Sequence, residues 1–365
     1  MTDLVVLSLE GWDSVWRRNQ YLVAGLLEAD RELRVLFVEP PDDPLHDLRI
    51  RRRPGFGHPV RQVADRLWTV RPAKWLPRKW DRSGDQRRAQ AIRAAAAGLG
   101  FAAPILWVND PAAAGLVPMT RWRSLYDITD DWLSASRPAA ELARIADGER
   151  MLLERADAVV ACSPELVRRK SAQRSGIHLI PNAVDLDAYR VPAERPADLP
   201  AAPVALYLGT LHPDRIDVAL CVRVAQELAD RVRLVLAGPD LLSRYDRERL
   251  DEAGVRRLGA LERSAVPAHL QHADVLLVPH LVTAFTDSLD PIKLYEYQAA
   301  GRPVVSTAVA GFRDASDSRI RIADADGFAD AVISALEDPL PRGAADAADW
   351  RVRVDQMRRV IESIH

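Results

Sequence analysis

Short apolar runs alternate with segments of helical length along the whole chain. LVVLSL (Leu4–Leu9), RVLFV (Arg34–Val38), PILWV (Pro104–Val108), SLY (Ser124–Tyr126), AVVA (Ala158–Ala161) and IHLI (Ile177–Ile180) form one series. VALYL (Val204–Leu208), RLVLA (Arg233–Ala237), VRRL (Val255–Leu258), VLLV (Val275–Val278), VVS (Val304–Ser306) and RIRI (Arg319–Ile322) form a second. Most of these runs lack in/out alternation, as expected of strands covered on both faces, and the intervals between most of them are long enough for crossover helices. The pattern predicts an α/β protein with two Rossmann-like, doubly wound domains facing a central cleft. The expected limits are 1–190 for the first domain, 191–203 for a proline-rich linker and 204–344 for the second domain. A terminal helix at 345–365 is expected to pack back across them.

Ligands of open α/β sheets bind beyond the carboxyl ends of the strands, so chemistry is expected in the loops that follow them. The first such stretch, Glu10 to Gln20, holds Gly11 ahead of a helix expected to start near Ser14, with Trp12, Trp16 and Arg17 as candidates to face the cleft. Its tryptophans suit either a ligand or packing between helix and sheet. Asn109, Asp110 and Pro111 follow PILWV, and Asp127, Ile128, Thr129, Asp130, Asp131 and Trp132 follow SLY. Carboxylates this dense at a strand end are helix caps or functional acids, since like charges raise one another's pKa. Asp127 and Asp130 are the better functional candidates.

In the second half, VALYL runs into Gly209, Thr210 and, six residues after the glycine, Arg215. Bare backbone N–H groups and a fixed cation can converge there on phosphate oxygens. The segment SLDPIKLYEYQAAGRPVV (288–305) predicts a helix with Asp290 as its cap, Pro291 at its first position and Gly301 just past its end. Lys293 in its first turn adds positive charge where the helix dipole already attracts anions. Glu296, three residues on, suits two adjacent hydroxyls of a ribose. An ion pair between Lys293 and Glu296 is the competing structural reading.

Charge and composition sharpen this picture. Of 50 basic residues only Lys74, Lys79, Lys170 and Lys293 are lysines, so a compact ammonium at 293 is a departure from the chain's habit. The net charge of −2 conceals a basic stretch at 49–93, where fourteen Arg or Lys meet three Asp. That stretch suits an anionic acceptor or peripheral contact with the inner membrane face, and no motif accompanies it that would indicate nucleic acid. Two cysteines, Cys162 and Cys221, are too few for a disulfide framework, and no apolar run is long enough to span a bilayer. A cytoplasmic location is expected.

These residues resemble, in order, those of the retaining nucleotide-sugar glycosyltransferases of the GT-B fold, in particular glycosyltransferase family 4. The likeness rests on ERADAVVACSPELVRRK and IHLIPNAVDLDAY (154–170 and 177–189), RLVLAGPD (233–240), VRRLGALERSAVPAHLQHADVLLVPH (255–280) and above all DPIKLYEYQAAGRPVVST (290–307). WDSVWRRNQYL and RVLFVEPP resemble a subgroup acting on cell-envelope polysaccharides. The resemblance implies an acceptor-binding first domain and a second domain that binds a nucleotide-diphosphate sugar, with no cofactor and no metal. It implies that Arg215 and Lys293 hold the donor diphosphate, Glu296 the ribose, Gly238 and Pro239 the nucleoside region, and Leu261 the base. Gly209, Thr210, Asp290 and Leu294 would line the same cradle. Ser288 stands where the family's first glutamate of a Glu-(seven residues)-Glu motif is expected, and no clear counterpart exists for the histidine of the first domain.

The activity implied is transfer of a sugar to a hydroxyl of a glycan, lipid-linked or natural-product acceptor. Cations would neutralise the leaving diphosphate while Asp127 or Asp130 orients the acceptor. A non-catalytic nucleotide-binding scaffold and a sugar-nucleotide epimerase are the alternatives that Ser288 and the missing histidine leave open.

Overall fold

The computed structural model describes residues 2–13, 15–49, 53–74, 83–201, 203–338 and 347–365. Expectations placed on Ser14, on most of the cation–tryptophan alternation at 74–82 and on 345–346 lie outside them. The chain divides into two compact units. The first comprises 1–133, 137–181 and 351–365, and the second 134–136 and 182–350.

The first unit holds eight strands: β1 (Asp3–Leu7), β2 (Arg34–Val38), β3 (His58–Ala64), β4 (Leu67–Arg71), β5 (Ile105–Val108), β6 (Ser124–Ile128), β7 (Ala158–Ala161) and β8 (His178–Leu179). They pair in the order β3-β4-β2-β1-β5-β6-β7-β8, parallel except for β3 against β4. Chain direction reverses across the sheet at β1, between β2 and β5, which is the switch point where such sheets open a crevice. β1 and β5 are buried along their whole length and apolar on both faces, except for Asp3 at the start of β1, which pairs with Arg34 at 2.8 Å.

The hairpin of β3 and β4 was not expected from sequence. β3 lies at the sheet edge with mostly exposed side chains, so it carries polar residues and lacks the apolar signature of its neighbours. The hairpin places residues 58–71 of the basic stretch in ordered sheet.

A helix at Arg18–Ala29 covers β1, and the terminal helix Trp350–Ile364 packs against it. Gly25 makes room for that contact: a Cβ there would sit 2.4 Å from a methyl of Val354. Val354, Met357, Val360 and Ile361 are buried. This last helix, from Arg351 on, thus belongs to the first unit although it follows the whole of the second.

The second unit has a six-stranded, wholly parallel sheet: β9 (Val204–Leu208), β10 (Arg233–Ala237), β11 (Arg256–Gly259), β12 (Val275–Val278), β13 (Val304–Ser306) and β14 (Ile320–Ile322). The order is β11-β10-β9-β12-β13-β14, with its own switch point at β9. Two buried clusters flank the sheet, one with Leu220, Val224 and Phe328, the other with Leu270, Tyr297 and Phe312. Both cysteines are free and buried. Among the described residues no helix is long and apolar enough to cross a membrane.

Candidate functional site

At the switch point of the second unit two glycines bring the ends of β9 and β10 together. Gly209 follows β9 with φ 150° and Gly238 follows β10 with φ 141°, conformations that side chains rarely adopt. A Cβ on Gly238 would lie 2.1 Å from the carbonyl oxygen of Gly209. A Cβ on Gly209 would lie 2.8 Å from both Lys293 Nζ and Tyr207 Oη. The bare backbone at 209 therefore lets the lysine ammonium and the Tyr207 hydroxyl approach the turn closely.

Lys293 sits in the first turn of the helix Ile292–Ala300. Its Nζ donates to Tyr207 Oη at 3.0 Å and stands 3.3 Å from His280 Nε2. Tyr207 Oη is itself 3.0 Å from His280 Nε2, so the three groups form a closed triangle. The ammonium also lies over the phenol ring, 4.5 Å from its centroid. Arg215 stacks on Phe285 at 5.3 Å and adds its charge to the same cluster.

Burial first, and then Arg215, lower the Lys293 ammonium to about 7, with Glu296 opposing the shift. The Glu296 carboxyl is pushed up to about 7 by burial, against the attraction of Lys293. His280 is held well below the usual imidazole value by burial and then by Lys293 and Arg215, so it is neutral at pH 7. Lys293 and Glu296 keep some accessible surface, which tempers these shifts. The competing ion-pair reading does not hold: among the described residues no salt bridge joins the two, and Lys293 pairs with no carboxylate. Lys293, with no carboxylate partner among the described residues, beside a helix N-terminus and near the Arg215 charge, makes a site that gains stability from an anion.

The other expected contacts are placed as follows. Gly238 N donates to Gly259 O at 2.7 Å, and Pro239 O accepts from Leu211 N at 2.8 Å, which fixes the loops after β9 and β10. Thr210 O accepts from His212 N at 3.0 Å. Leu294 and Leu261 pack in the cluster around Tyr297. Gly301 ends the helix in the left-handed conformation expected of it.

Asp290 differs from expectation. The helix is capped by Pro291 without a side-chain bond. Asp290 instead accepts from the backbone N–H of Asn182 and, at 2.8 Å, from Tyr295 Oη, while its carbonyl accepts from Asn182 Nδ2. It ties the Pro-Asn-Ala-Val segment to the helix rather than presenting its carboxylate to a ligand. Ser288 is fully buried, with Oγ donating to Phe285 O at 2.7 Å, and Asp287 pairs with Arg313 at 2.6 Å.

In the first unit, Asp127 is fully buried at the end of β6, and both its oxygens bind Arg18, at 3.0 and 3.1 Å. Asn109 Nδ2 donates to the same carboxylate at 3.2 Å, and Asn19 links Asn109 to Ser8. Asp130 is half-buried and accepts from Thr129 Oγ1 at 3.2 Å, while Asp131 joins Lys170 and Glu149 in a buried pair of salt bridges. Asp110 caps the turn Pro111–Ala113. Trp12 packs edge-on to Phe37 and Trp16 on Tyr21, which is the packing role left open above. Trp12 N also donates to Glu39 Oε1 at 2.8 Å, and the other oxygen of Glu39 takes His58 and Arg71. Among the described residues no cluster of three His, Cys, Asp or Glu side chains is arranged for a metal ion.

Sequence reasoning missed Tyr207, His280 and Arg18. Tyr207 reads as one more core residue of VALYL. His280 has a positional signal only, since it stands two residues beyond the carboxyl end of β12, where functional loops begin.

Residues 202–338 match the family described as glycosyl transferases group 1. The Bacillus subtilis protein TuaH, provisionally named a teichuronic acid biosynthesis glycosyltransferase, is 25% identical over 219 residues, covering 55% of each chain. D-inositol 3-phosphate glycosyltransferase of Xylanimonas cellulosilytica is 30% identical over 196 residues, 46% of this chain and 44% of the relative. The chain spans about half the length of the curated relatives it matches. Among solved structures, Anabaena HepE in complex with UDP and glucose aligns over 100% of both chains with a TM-score of 0.68 and 14% identity. At that identity the likeness speaks for the fold, which is GT-B.

Proposed function

We propose that this GT-B chain, whose second unit matches the group 1 glycosyltransferases, is a retaining glycosyltransferase. In this reading it moves a sugar from a nucleotide-diphosphate sugar to a hydroxyl of a glycan, lipid-linked or natural-product acceptor. The observation that carries the reading is the close approach of the Lys293 ammonium to the bare backbone of Gly209, with no carboxylate partner for Lys293 among the described residues.

A donor diphosphate seated there would meet Lys293, Arg215 and the positive end of the helix Ile292–Ala300. These groups are preorganised, so they stabilise the charge that develops on the leaving phosphate without having to move. Tyr207 and His280 hold the ammonium in place. Glu296 lies one turn further along the same helix, where it would accept hydrogen bonds from the ribose. The sugar would pass through an oxocarbenium-like state, with the acceptor proton going to the departing phosphate and no metal required. Of the two candidate acids of the first unit, Asp130, half-buried where Asp127 is fully buried, would orient an acceptor. Asp127 would act by holding Arg18.

Thermal shift against UDP, GDP, dTDP and ADP, with Lys293→Ala beside the parent, tests the cradle. Stabilisation of the parent alone supports the reading, and no response to any nucleotide refutes it. Ser288, buried and bonded to backbone where a donor-sugar contact is expected, favours a second reading: a scaffold that binds nucleotide without turnover. Nucleotide release from a bound sugar nucleotide, with and without acceptor glycans, separates the two.

A further inference from the structure

Among the described residues two that are not glycine take the left-handed conformation, and both are arginines: Arg66 with φ 57° and Arg121 with φ 59°. Crowding of Cβ against the backbone disfavours side chains there, so each needs a reason. The reason for Arg66 is local. Its guanidinium donates to three backbone carbonyls, Asp30 O at 2.6 Å, Leu27 O at 2.8 Å and Leu33 O at 3.2 Å. Arg121 has no such tie. Its backbone N–H closes the short helix Leu116–Thr120 on Val117 O, a task that glycine performs without strain. Its side chain is exposed, with no hydrogen bond or ion pair among the described residues.

Arg121 borders a cleft of about 410 Å³, lined also by Ala103, Pro104, Trp122, Arg123 and Asp157. These residues immediately precede β5, β6 and β7, three neighbouring parallel strands. The cleft therefore lies at the end of the first sheet opposite to Asp127 and Asp130. Trp122 is half-buried and packs on the core of the unit, which fixes its indole. Arg123 is held by Asp157 Oδ1 at 2.6 Å, and the other oxygen of Asp157 accepts from Ser124 N at 2.8 Å. An aromatic face, a guanidinium steadied by a carboxylate and a second guanidinium without one thus meet in a volume usual for small-molecule sites. We infer that this cleft binds an acidic sugar, a pyranose ring carrying a carboxylate or phosphate. The apolar C–H face of the ring lies on the indole, Arg121 pairs with the acid, and the N–H groups of Arg123 that Asp157 leaves over meet ring hydroxyls. A simple anion would give the indole no part, and a neutral sugar would leave the strained arginine unexplained. The site lies in the first unit, apart from the donor cradle, and does not rest on the reading of that cradle.

The test is a titration of the full chain with glucuronate, glucose and gluconate, read by saturation-transfer NMR, with and without UDP. Glucuronate carries ring and charge, glucose the ring alone, and gluconate the charge on an open chain. The parent is expected to bind glucuronate about tenfold or more tighter than either control, with UDP making no difference. Arg121→Gly should weaken glucuronate binding about tenfold at an equal or higher melting temperature, because glycine relieves the turn. Trp122→Leu should weaken it as well. No glucuronate binding by the parent, gluconate bound as tightly as glucuronate, or displacement by UDP overturns the inference. So does unchanged affinity in Arg121→Gly, and a lowered melting temperature beside it would make the arginine's role structural. If UDP stabilises no form of the protein while glucuronate still binds, the donor-site reading falls and this site stands.

Discussion

Lys293 Nζ lies 3.3 Å from His280 Nε2, a distance that suits an ammonium only while the imidazole offers a lone pair there. His280 does so at neutral pH, since its environment keeps it unprotonated. The lysine is in turn held near 7, so in the empty site it is only partly charged at physiological pH. An arriving diphosphate restores the charge, and binding should take up protons. Calorimetry of nucleoside diphosphate binding at pH 7.5 (about half a unit above that value) in buffers of different ionisation enthalpy should show net uptake, absent in Lys293→Met. Equal heats in all buffers would contradict it.

Lys293 and Glu296 together shape stability against pH in the empty protein. Glu296 binds protons more tightly folded than unfolded, so between its ordinary 4.5 and about 7 stability falls as pH rises. Lys293 binds them less tightly folded, so between about 7 and its ordinary 10.5 the unfolded chain carries more protons and stability rises with pH. Urea midpoints should therefore dip near neutrality. Lys293→Met removes the rising limb, and saturating nucleoside diphosphate flattens the dip.

Turnover should depend on the ammonium as such. Lys293→Ala is expected to lower kcat by about 10²–10³ through loss of a preorganised cation. Lys293→Arg should rescue little of it, because a broader guanidinium has no room beside Gly209, Tyr207 and His280. Gly209→Ala puts a methyl into the same space and strains the turn, at a cost of about 1–3 kcal/mol in stability and with weakened donor binding.

Asp127 and Arg18 are predicted to be a structural unit. Asp127→Ala leaves a buried guanidinium without its carboxylate and should cost about 3–5 kcal/mol, measured by urea unfolding. Asp130→Ala should change stability by less than about 1 kcal/mol and act on KM for the acceptor. A folded, fully stable Asp127→Ala with lost turnover would reverse these roles.

Ser288→Glu is expected to destabilise the fold by about 2 kcal/mol or more instead of restoring the family's usual acid. The position is fully buried and its hydroxyl is bound to Phe285 O, leaving a carboxylate without water or partner. A lowered melting temperature would agree; an unchanged one would show that the site opens.

What was legible in advance follows from which residues the sheets bury. Strands such as β9 and β12, covered on both faces, must be apolar throughout and stand out in the sequence. β3 did not, because an exposed edge strand carries polar residues for solubility and so resembles a loop, and β4, inside the sheet, was missed with its hairpin partner. The start of the first helix was misread for a similar reason. The Glu10 to Gln20 loop has several plausible caps, and the helix begins at Arg18, where Gln20 Oε1 accepts from Arg17 N. In the candidate site, Lys293 and the glycines could be found from spacing along one segment. Tyr207 and His280 come from two different strands, and only the pairing of β9 with β12 brings them to the lysine. Asp290 was placed as a cap because its sequence position allows it; a competing partner 108 residues away, Asn182, took the carboxylate.

The helix Trp350–Ile364 has a consequence for the order in which the protein matures. A ribosome delivers β1 and the helix Arg18–Ala29 first, yet the residues that cover Gly25 emerge only after the entire second unit has been made. The second sheet can close while translation continues. The first must wait, partly uncovered, until the whole second unit has been made, so an early part of the chain is a late part of the fold.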